Sequence, residues 1–205
     1  MYILGATAVA EDGTCFPGHP RAISEKDLPS LEERAKIIKS QGALAINQIH
    51  HAGALALKQY SGVNPLAPSA EKGNENLKFL GQYTTPCQEF TDERIKKLIN
   101  EFANATELSL KAGFDGIEFH AANKYLFQQF YSPSFNKRTD DWGGSDEKRM
   151  NFSLKVIDAC CKIREKYNRP DFIIGYKLSP EEPFEDGLTM TETLKLVKVL
   201  VTKPI

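Results

Sequence analysis

Residues 113–150, GFDGIEFHAANKYLFQQFYSPSFNKRTDDWGGSDEKRM, decide how the fold of this chain is interpreted. The run at 115–119 predicts a buried strand, and His120, Asn123 and Tyr125 follow it directly. A long loop rich in Pro, Asn, Arg, Asp and Gly comes next. Hydrogen-bonding side chains released at the end of a buried strand are typical of a catalytic mouth.

Further strands and helices alternate along the rest of the chain. Strands are predicted at 2–9, 43–49 and 172–178, and helices at about 30–41, from Thr91 to Gly113, at about 146–167 and near 190–202. Ser30 and Thr91 are the predicted N-caps of the first two helices. Residues 50–90 form a long polar excursion, a length typical of functional or disordered loops. Because apolar strands alternate with helices, we expect a parallel sheet with covered faces.

Two architectures satisfy this pattern, a doubly wound open sheet and a (β/α)8 barrel. The segment after the first strand begins GATAVAEDG and lacks the GxGxxG fingerprint of a dinucleotide-binding sheet. Polar residues at the ends of several strands favour the barrel, whose active sites are built at the carboxyl ends of its strands. Four strands are predicted, whereas a complete barrel has eight. We therefore predict an incomplete α/β TIM-type (β/α)8 barrel, with four of its strands and their helices, as one domain over 1–205.

The composition is that of a soluble globular protein without an electrostatic bias. Hydrophobic residues make up 41% and charged residues 26%, and the net charge is −1. We expect no nucleic-acid or membrane partner, no signal peptide and a cytoplasmic location. The four cysteines lack a CxxC spacing, so we expect reduced thiols.

His120, Asn123 and Tyr125 form the first candidate constellation. His120 and Asn123 are three residues apart and are suited to donate two hydrogen bonds to one carbonyl oxygen. Tyr125 carries a phenol that is suited to protonate carbon in a dry pocket. The alternative is structural: His120 caps the following helix and Tyr125 packs in the core.

Gln48, His50 and His51 end the second predicted strand. A buried amide requires a partner, and either a planar heterocycle or a backbone group satisfies Gln48. His50 and His51 are adjacent, so they face opposite ways and at most one is functional. A zinc site lacks a third ligand at any usual spacing, so no metal is predicted.

Lys177 and Arg138 are the basic residues for which a role is predicted. Lys177 lies in an apolar strand, which predicts burial and a role as a fixed cation beside an anionic cofactor, or as a Schiff-base lysine. A lysine that reaches the surface is the alternative. Arg138 is expected to bind the acidic residues of its loop, and the Gly143–Gly144 turn to shape it.

The segment HAANKYLFQQFYSPSFNKRTDDWGGSDEKRMNF resembles the active-site segment of the Old Yellow Enzyme family of FMN-dependent oxidoreductases. Shorter matches follow the family's order: GATAV at 5–9, QIHHAG at 48–53, APSA at 67–70 and GYKLSPEE at 175–182. The resemblance therefore covers essentially the whole chain.

The resemblance implies roles at the cofactor. Ala6 would lie against the flavin ring, and Gln48 would bind the pyrimidine edge of FMN. Lys177 stands where most members carry Arg beside flavin N1 and O2, a cation that stabilises the anionic reduced flavin.

The resemblance also implies roles at the substrate. His120 and Asn123 would hold the electron-withdrawing oxygen of a small molecule, and Tyr125 would protonate the alkene carbon. The reaction would be ping-pong, with hydride passing from NADH or NADPH through FMN to an activated alkene.

Departures from the family pattern carry expectations of their own. Lys124 replaces a small residue, usually Gly, and Ala54 stands where many relatives have Arg. The resemblance implies that the chain corresponds to about strands 2–5 of the family's barrel, without its first strand, its strands six to eight and their phosphate-binding loops. We therefore expect weak FMN binding by this chain alone, with a catalytically idle remnant as the alternative function. The open strand edges favour association, so a homo-oligomer is the expected partner besides a small-molecule substrate.

Overall fold

The computed structural model describes residues 1–70, 86–183 and 185–205. Its strands are β1 (Tyr2–Ala8), β2 (Ala45–His50), β3 (Leu66–Ala67), β4 (Gln88–Glu89), β5 (Gly116–Ala121) and β6 (Ile173–Leu178). Its helices are α1 (Leu28–Lys39), α2 (Lys58–Ser61), α3 (Asp92–Lys111), α4 (Leu126–Tyr131), α5 (Asp146–Lys166) and α6 (Met190–Leu200). The predicted excursion over 50–90 contains α2, β3 and β4, and its remainder lies outside the described residues.

The four long strands form one parallel sheet in the order β1-β2-β5-β6, which confirms the predicted sheet. Gln48 is in register with Glu118, and His120 with Lys177. The register between β1 and β2 shifts between Leu4 and Thr7.

The sheet has two chemically different faces because successive side chains of a strand point opposite ways. Asn47 lies on the helix-covered face, where its amide donates to Ser109 of α3 at 2.9 Å. The opposite face carries five further polar and charged residues of the strands. These are Gln48 and His50 of β2, Glu118 and His120 of β5, and Lys177 of β6. The sequence analysis predicted polar residues only at the ends of the strands, but the structure shows a polar face that extends along them.

An aromatic cluster fills the space between the sheet and the helices. Phe127 of α4 lies 5.0 Å from Phe102, 5.3 Å from Phe119 and 5.2 Å from Phe152, measured between ring centroids. All four side chains are fully buried. Burial of aromatic side chains of this size is the main source of stability for such a layer.

The start of α1 differs from the prediction. The helix begins at Leu28, so the predicted cap at Ser30 is wrong. A single 3-10 turn precedes the helix, and there the carboxylate of Asp27 accepts the backbone N–H of Ser24 at 2.9 Å. Pro29 is tolerated in the first turn of α1, where its missing N–H leaves no bond unmade.

The predicted N-cap of α3 is confirmed. The Thr91 side chain accepts the backbone N–H of Arg94 at 3.1 Å and caps α3. All four cysteines are in the thiol state. Within the described ranges, no helix combines the length and the apolar character needed to cross a bilayer.

Candidate functional site

The ring of Tyr125 lies between two histidine rings at the carboxyl ends of β2 and β5. Its centroid is 4.8 Å from His50 and 4.8 Å from His120, with an edge-on geometry in both pairs. Tyr125 immediately precedes α4, and its carbonyl accepts the N–H of Gln129 at 3.0 Å. Burial, together with the neighbouring Cys15, raises the pKa of Tyr125 to about 12. The phenol therefore keeps its proton at neutral pH.

His120 is buried and neutral. Burial lowers its pKa to about 4, and the positive charge of Lys177 acts in the same direction. Among the described residues, its Nδ1 has no hydrogen-bond partner. α4 is capped at Tyr125 without a side-chain hydrogen bond, so His120 is not the cap of that helix. The structure thus brings His120 and Tyr125 together with a free ring nitrogen beside them.

Asn123 lies at the exposed rim of this site. It and Lys124 adopt consecutive left-handed conformations, with φ of 57° and 63°. The turn is held by the Asn123 N–H, which donates to Ser179 Oγ at 3.0 Å, and by the Lys124 N–H, which donates to Gln128 Oε1 at 2.7 Å. The predicted joint action of Asn123 with His120 stays a prediction, since one side chain is exposed and the other buried.

Gln48 has a side-chain partner that neither sequence interpretation included. Its amide donates to the Glu118 carboxylate at 2.5 Å. Gly5 of β1 packs against the same amide, because a Cβ atom at Gly5 would lie 2.3 Å from Gln48 Oε1. The adjacent Ala6 is half-buried. Glu118 was missed because β5 was interpreted as an apolar run; the alternation of Gly116, Glu118 and His120 was the available signal.

Lys177 is exposed, so its predicted burial is wrong. It lies on the polar face of β6 and borders an open cavity of about 540 Å³ with Gln48 and Glu118. Among the described residues, no carboxylate lies within ion-pair distance of its ammonium group. The exposed position removes the desolvation that activates a Schiff-base lysine, but it retains a cation at the cavity.

His51 faces away from this cavity, as the alternation of the strand predicts. Its Nδ1 accepts the N–H of Gly53 at 3.0 Å, so its Nε2 donates to Asp12 at 3.0 Å. Arg94 also binds Asp12, at 2.7 and 2.9 Å. Burial alone would raise the pKa of Asp12, but the hydrogen bonds from His51 and Arg94 and the charge of Arg94 outweigh it and hold that pKa well below its usual range. His51, Asp12 and Arg94 therefore form a structural network that lies away from the cavity.

His50 has two neighbours that the spacing of the sequence did not reveal. Its Nε2 lies 2.8 Å from Nε2 of His19, and Cys15 lies beside the pair. The sequence analysis considered zinc ligands only at the usual spacings, and His19 and Cys15 lie outside such a spacing from His50. The loop after β1 folds back on the end of β2, a contact that no local spacing encodes.

The carboxylate of Glu182 holds the mouth of the site together. The carboxylate of Glu182 accepts bonds from Gln128 at 2.6 Å, from Ser132 at 2.5 Å and from the Leu188 N–H at 2.9 Å. These bonds join α4 to the segment after β6. Sequence reasoning missed Glu182, although it belongs to the quoted SPEE run.

The predicted network around Arg138 is confirmed. Its guanidinium donates to Asp140 at 2.6 Å, to Glu89 at 3.0 Å, and to the carbonyls of Pro68 and Phe90 at 2.8 Å each. Arg138 therefore ties the loop after α4 to the strands β3 and β4.

Comparison with known proteins gives a family match over nearly the whole chain. The model of the NADH:flavin oxidoreductase / NADH oxidase family matches residues 1–204. The chain is 41% identical over its full length to the probable NADH-dependent flavin oxidoreductase YqiG of Bacillus subtilis (strain 168) and covers 53% of that protein. It is 38% identical over 98% of its length to the NADH:acrylate oxidoreductase of Vibrio harveyi and covers 19% of it.

The fold match agrees with the family match. The old yellow enzyme homologue from Zymomonas mobilis superposes with a TM-score of 0.81 at 24% identity, over 97% of this chain and 57% of that one. The predicted α/β class, an incomplete TIM-type barrel, is confirmed. The chain spans about half the length of YqiG and of the Zymomonas protein.

Proposed function

Because this chain belongs to the NADH:flavin oxidoreductase / NADH oxidase family, we propose that its site serves the FMN-dependent reduction of an activated alkene, driven by NADH or NADPH. The observation that carries the proposal is the position of the Tyr125 phenol between His50 and His120. A protonated phenol beside neutral imidazoles is an acid that is suited to protonate carbon.

The residues around the open cavity fit FMN. The amide of Gln48 gives its N–H to Glu118 and keeps its carbonyl oxygen as an acceptor for the pyrimidine edge. Lys177 supplies a cation that favours an anionic ring, and Gly5 packs against the Gln48 amide without a side chain that would displace it. Ala6 is small enough to lie against a planar ring. When bound, FMN supplies the hydride-transfer chemistry.

The substrate side favours a small alkene that is conjugated to a carbonyl or carboxylate. His120 is neutral, so one of its nitrogens is available to donate to an oxygen of the activating group. Asn123 at the rim offers an amide donor to the same group. Tyr125 then delivers its proton to the alkene carbon. The Vibrio relative is named for acrylate, an alkene of this kind, which supports the same substrate class here.

The test uses the 205-residue chain in excess FMN, so that weak cofactor binding does not mask activity. Oxidation of NADH, and separately of NADPH, is followed without oxygen before and after addition of acrylate or 2-cyclohexenone. We expect alkene-dependent oxidation and a saturated product. A folded chain that gives no alkene-dependent oxidation at saturating FMN would contradict the proposal and favour the idle remnant.

A further inference from the structure

Three ligand-type side chains converge beside the end of β2. Cys15 and His19 lie in the loop after β1, and His50 is the last residue of β2. One candidate ligand atom from each side chain lies within 4.8 Å of those of the other two. His50 is fully buried and His19 is 6% exposed, whereas Cys15 is half-buried and opens the cluster to solvent. We propose that Cys15, His19 and His50 bind one Zn²⁺ ion.

The distances are close to those that zinc requires. Zinc binds imidazole nitrogen at about 2.0–2.1 Å and thiolate sulfur at about 2.3 Å, so tetrahedral ligand atoms lie about 3.3–3.6 Å apart. The two imidazoles are now 2.8 Å apart at Nε2, and every pair lies within 4.8 Å. Side-chain shifts of about 1 Å or less close the site around an ion.

The loop that carries two of the ligands is fastened at both of its ends. The Ala8 N–H donates to the Pro20 carbonyl at 2.8 Å, and the Ala22 N–H donates back to Ala8 at 2.9 Å. On the other side of the loop, the Leu57 N–H donates to the Thr14 carbonyl at 3.1 Å. The His19 ring also stacks on Phe16 with centroids 3.8 Å apart. The ligands are therefore held near one another before any ion binds, which favours binding.

The protonation states of His19 and His50 determine which protons move when the ion binds. His19 Nδ1 accepts the Cys15 N–H at 3.3 Å, so His19 carries its proton on Nε2 and donates to His50 Nε2. The lone pair of His50 Nε2 thus points into the cluster. Burial lowers the pKa of His19 to about 4 and that of His50 well below its ordinary value, so neither ring is protonated twice at neutral pH.

The ion takes the place of two hydrogens, one on His19 Nε2 and one on the Cys15 thiol. The His19 proton moves from Nε2 to Nδ1, which frees Nε2 for the ion and breaks the hydrogen bond from the Cys15 N–H to Nδ1. The Cys15 thiol, whose pKa burial raises to about 11, gives its proton to solvent as the S–Zn bond forms. The net release is therefore one proton per ion. Three protein ligands leave a fourth position for water.

Cobalt titration of the 205-residue chain tests the site. We expect one Co²⁺ per chain, with a sulfur-to-cobalt charge-transfer band that one equivalent of Zn²⁺ removes. Zn²⁺ addition in weak buffer is expected to release one proton. A folded wild-type chain without saturable, equimolar binding would overturn the proposal and leave a simple hydrogen-bonded histidine pair.

Two variants and one control locate the ligands. Cys15→Ser is expected to abolish the charge-transfer band. Both Cys15→Ser and His19→Asn are expected to weaken Zn²⁺ binding at least about 100-fold. Loss of a residue that only hydrogen-bonds to a metal ligand weakens binding by up to about 100-fold, so loss of a ligand should weaken it at least as much. Cys161→Ser removes a buried thiol on α5, outside the cluster, and is expected to bind as the wild type does. A band that survives in Cys15→Ser would also overturn the proposal.

Discussion

The amide of Gln48 donates to the carboxylate of Glu118 at 2.5 Å, between residues that are in direct register on neighbouring parallel strands. The bond orients the amide toward the cavity that Lys177 also borders. It leaves the Gln48 oxygen beside Gly5 and free to accept a further bond. The polar face of the sheet is therefore organised before any ligand binds.

Replacement of this amide tests the cofactor side of the proposed site. Gln48→Leu removes the acceptor and leaves Glu118 without its donor, so we expect the Kd for FMN to rise about tenfold, since one hydrogen bond contributes about 0.5–1.5 kcal/mol. Quenching of flavin fluorescence measures the Kd. Gln88→Leu, at an exposed position on β4, is the matched control. Equal Kd values in the two variants would contradict the assignment.

Tyr125→Phe separates proton delivery from binding. The ring stays between His50 and His120, but the acidic hydrogen is lost. Since a positioned acid contributes about 10²–10⁴-fold, we expect alkene reduction to fall by about that factor while the Kd for FMN is unchanged. The exposed Tyr2 provides the control Tyr2→Phe, which is expected to keep full activity. Retained alkene reduction in Tyr125→Phe would assign the proton to another donor.

The order of strands and helices was accessible from the sequence because each element carries a local pattern. The acidic first turn and the Thr91 cap fix the start of α3, and the bond from Arg94 to Thr91 confirms it. The start of α1 was not accessible in the same way. The turn around Ser24 and Asp27 offers a competing cap, and Pro29 allows the helix to begin before Ser30.

The site was accessible only in part, because it depends on contacts between distant segments. His120 and Tyr125 are close in the sequence, and the structure brings them together. The neighbours of His50 come from a loop about thirty residues earlier, which residue spacing does not predict. The environment of Lys177 was misjudged because apolar neighbours in a strand point to the other face of the sheet.

The conformation of Lys124 predicts a stabilising substitution. Its φ of 63° is unfavourable for a residue with a side chain, by about 1–2 kcal/mol. Lys124→Gly keeps the backbone bond to Gln128, so we expect the free energy of unfolding to rise by about 1 kcal/mol. Lys97→Gly in the middle of α3 is the control and is expected to lower it by about 1 kcal/mol. Urea unfolding measures both. A decrease in Lys124→Gly would show that the lysine side chain stabilises the turn by more than the strain it brings.

The lowered pKa of Asp12 predicts how the stability of the fold depends on pH. Its folded-state pKa lies below its unfolded value, because His51 and Arg94 favour the carboxylate. The stabilisation is complete above the unfolded pKa of about 3.9 and is lost as the pH falls toward the folded value.

We expect the free energy of unfolding of the wild type to decrease from about pH 5 downward more steeply than that of Asp12→Asn. Asp12→Asn is also expected to be less stable at pH 7, since Arg94 loses one of its two carboxylate partners and keeps only Glu101. Asp141→Asn, at a side chain that is 90% exposed, is the control and is expected to follow the wild type. Parallel curves for the wild type and Asp12→Asn in urea unfolding at pH 3–7 would mean that the half-buried ion pair of Asp12 and Arg94 does not set the acid sensitivity of the fold.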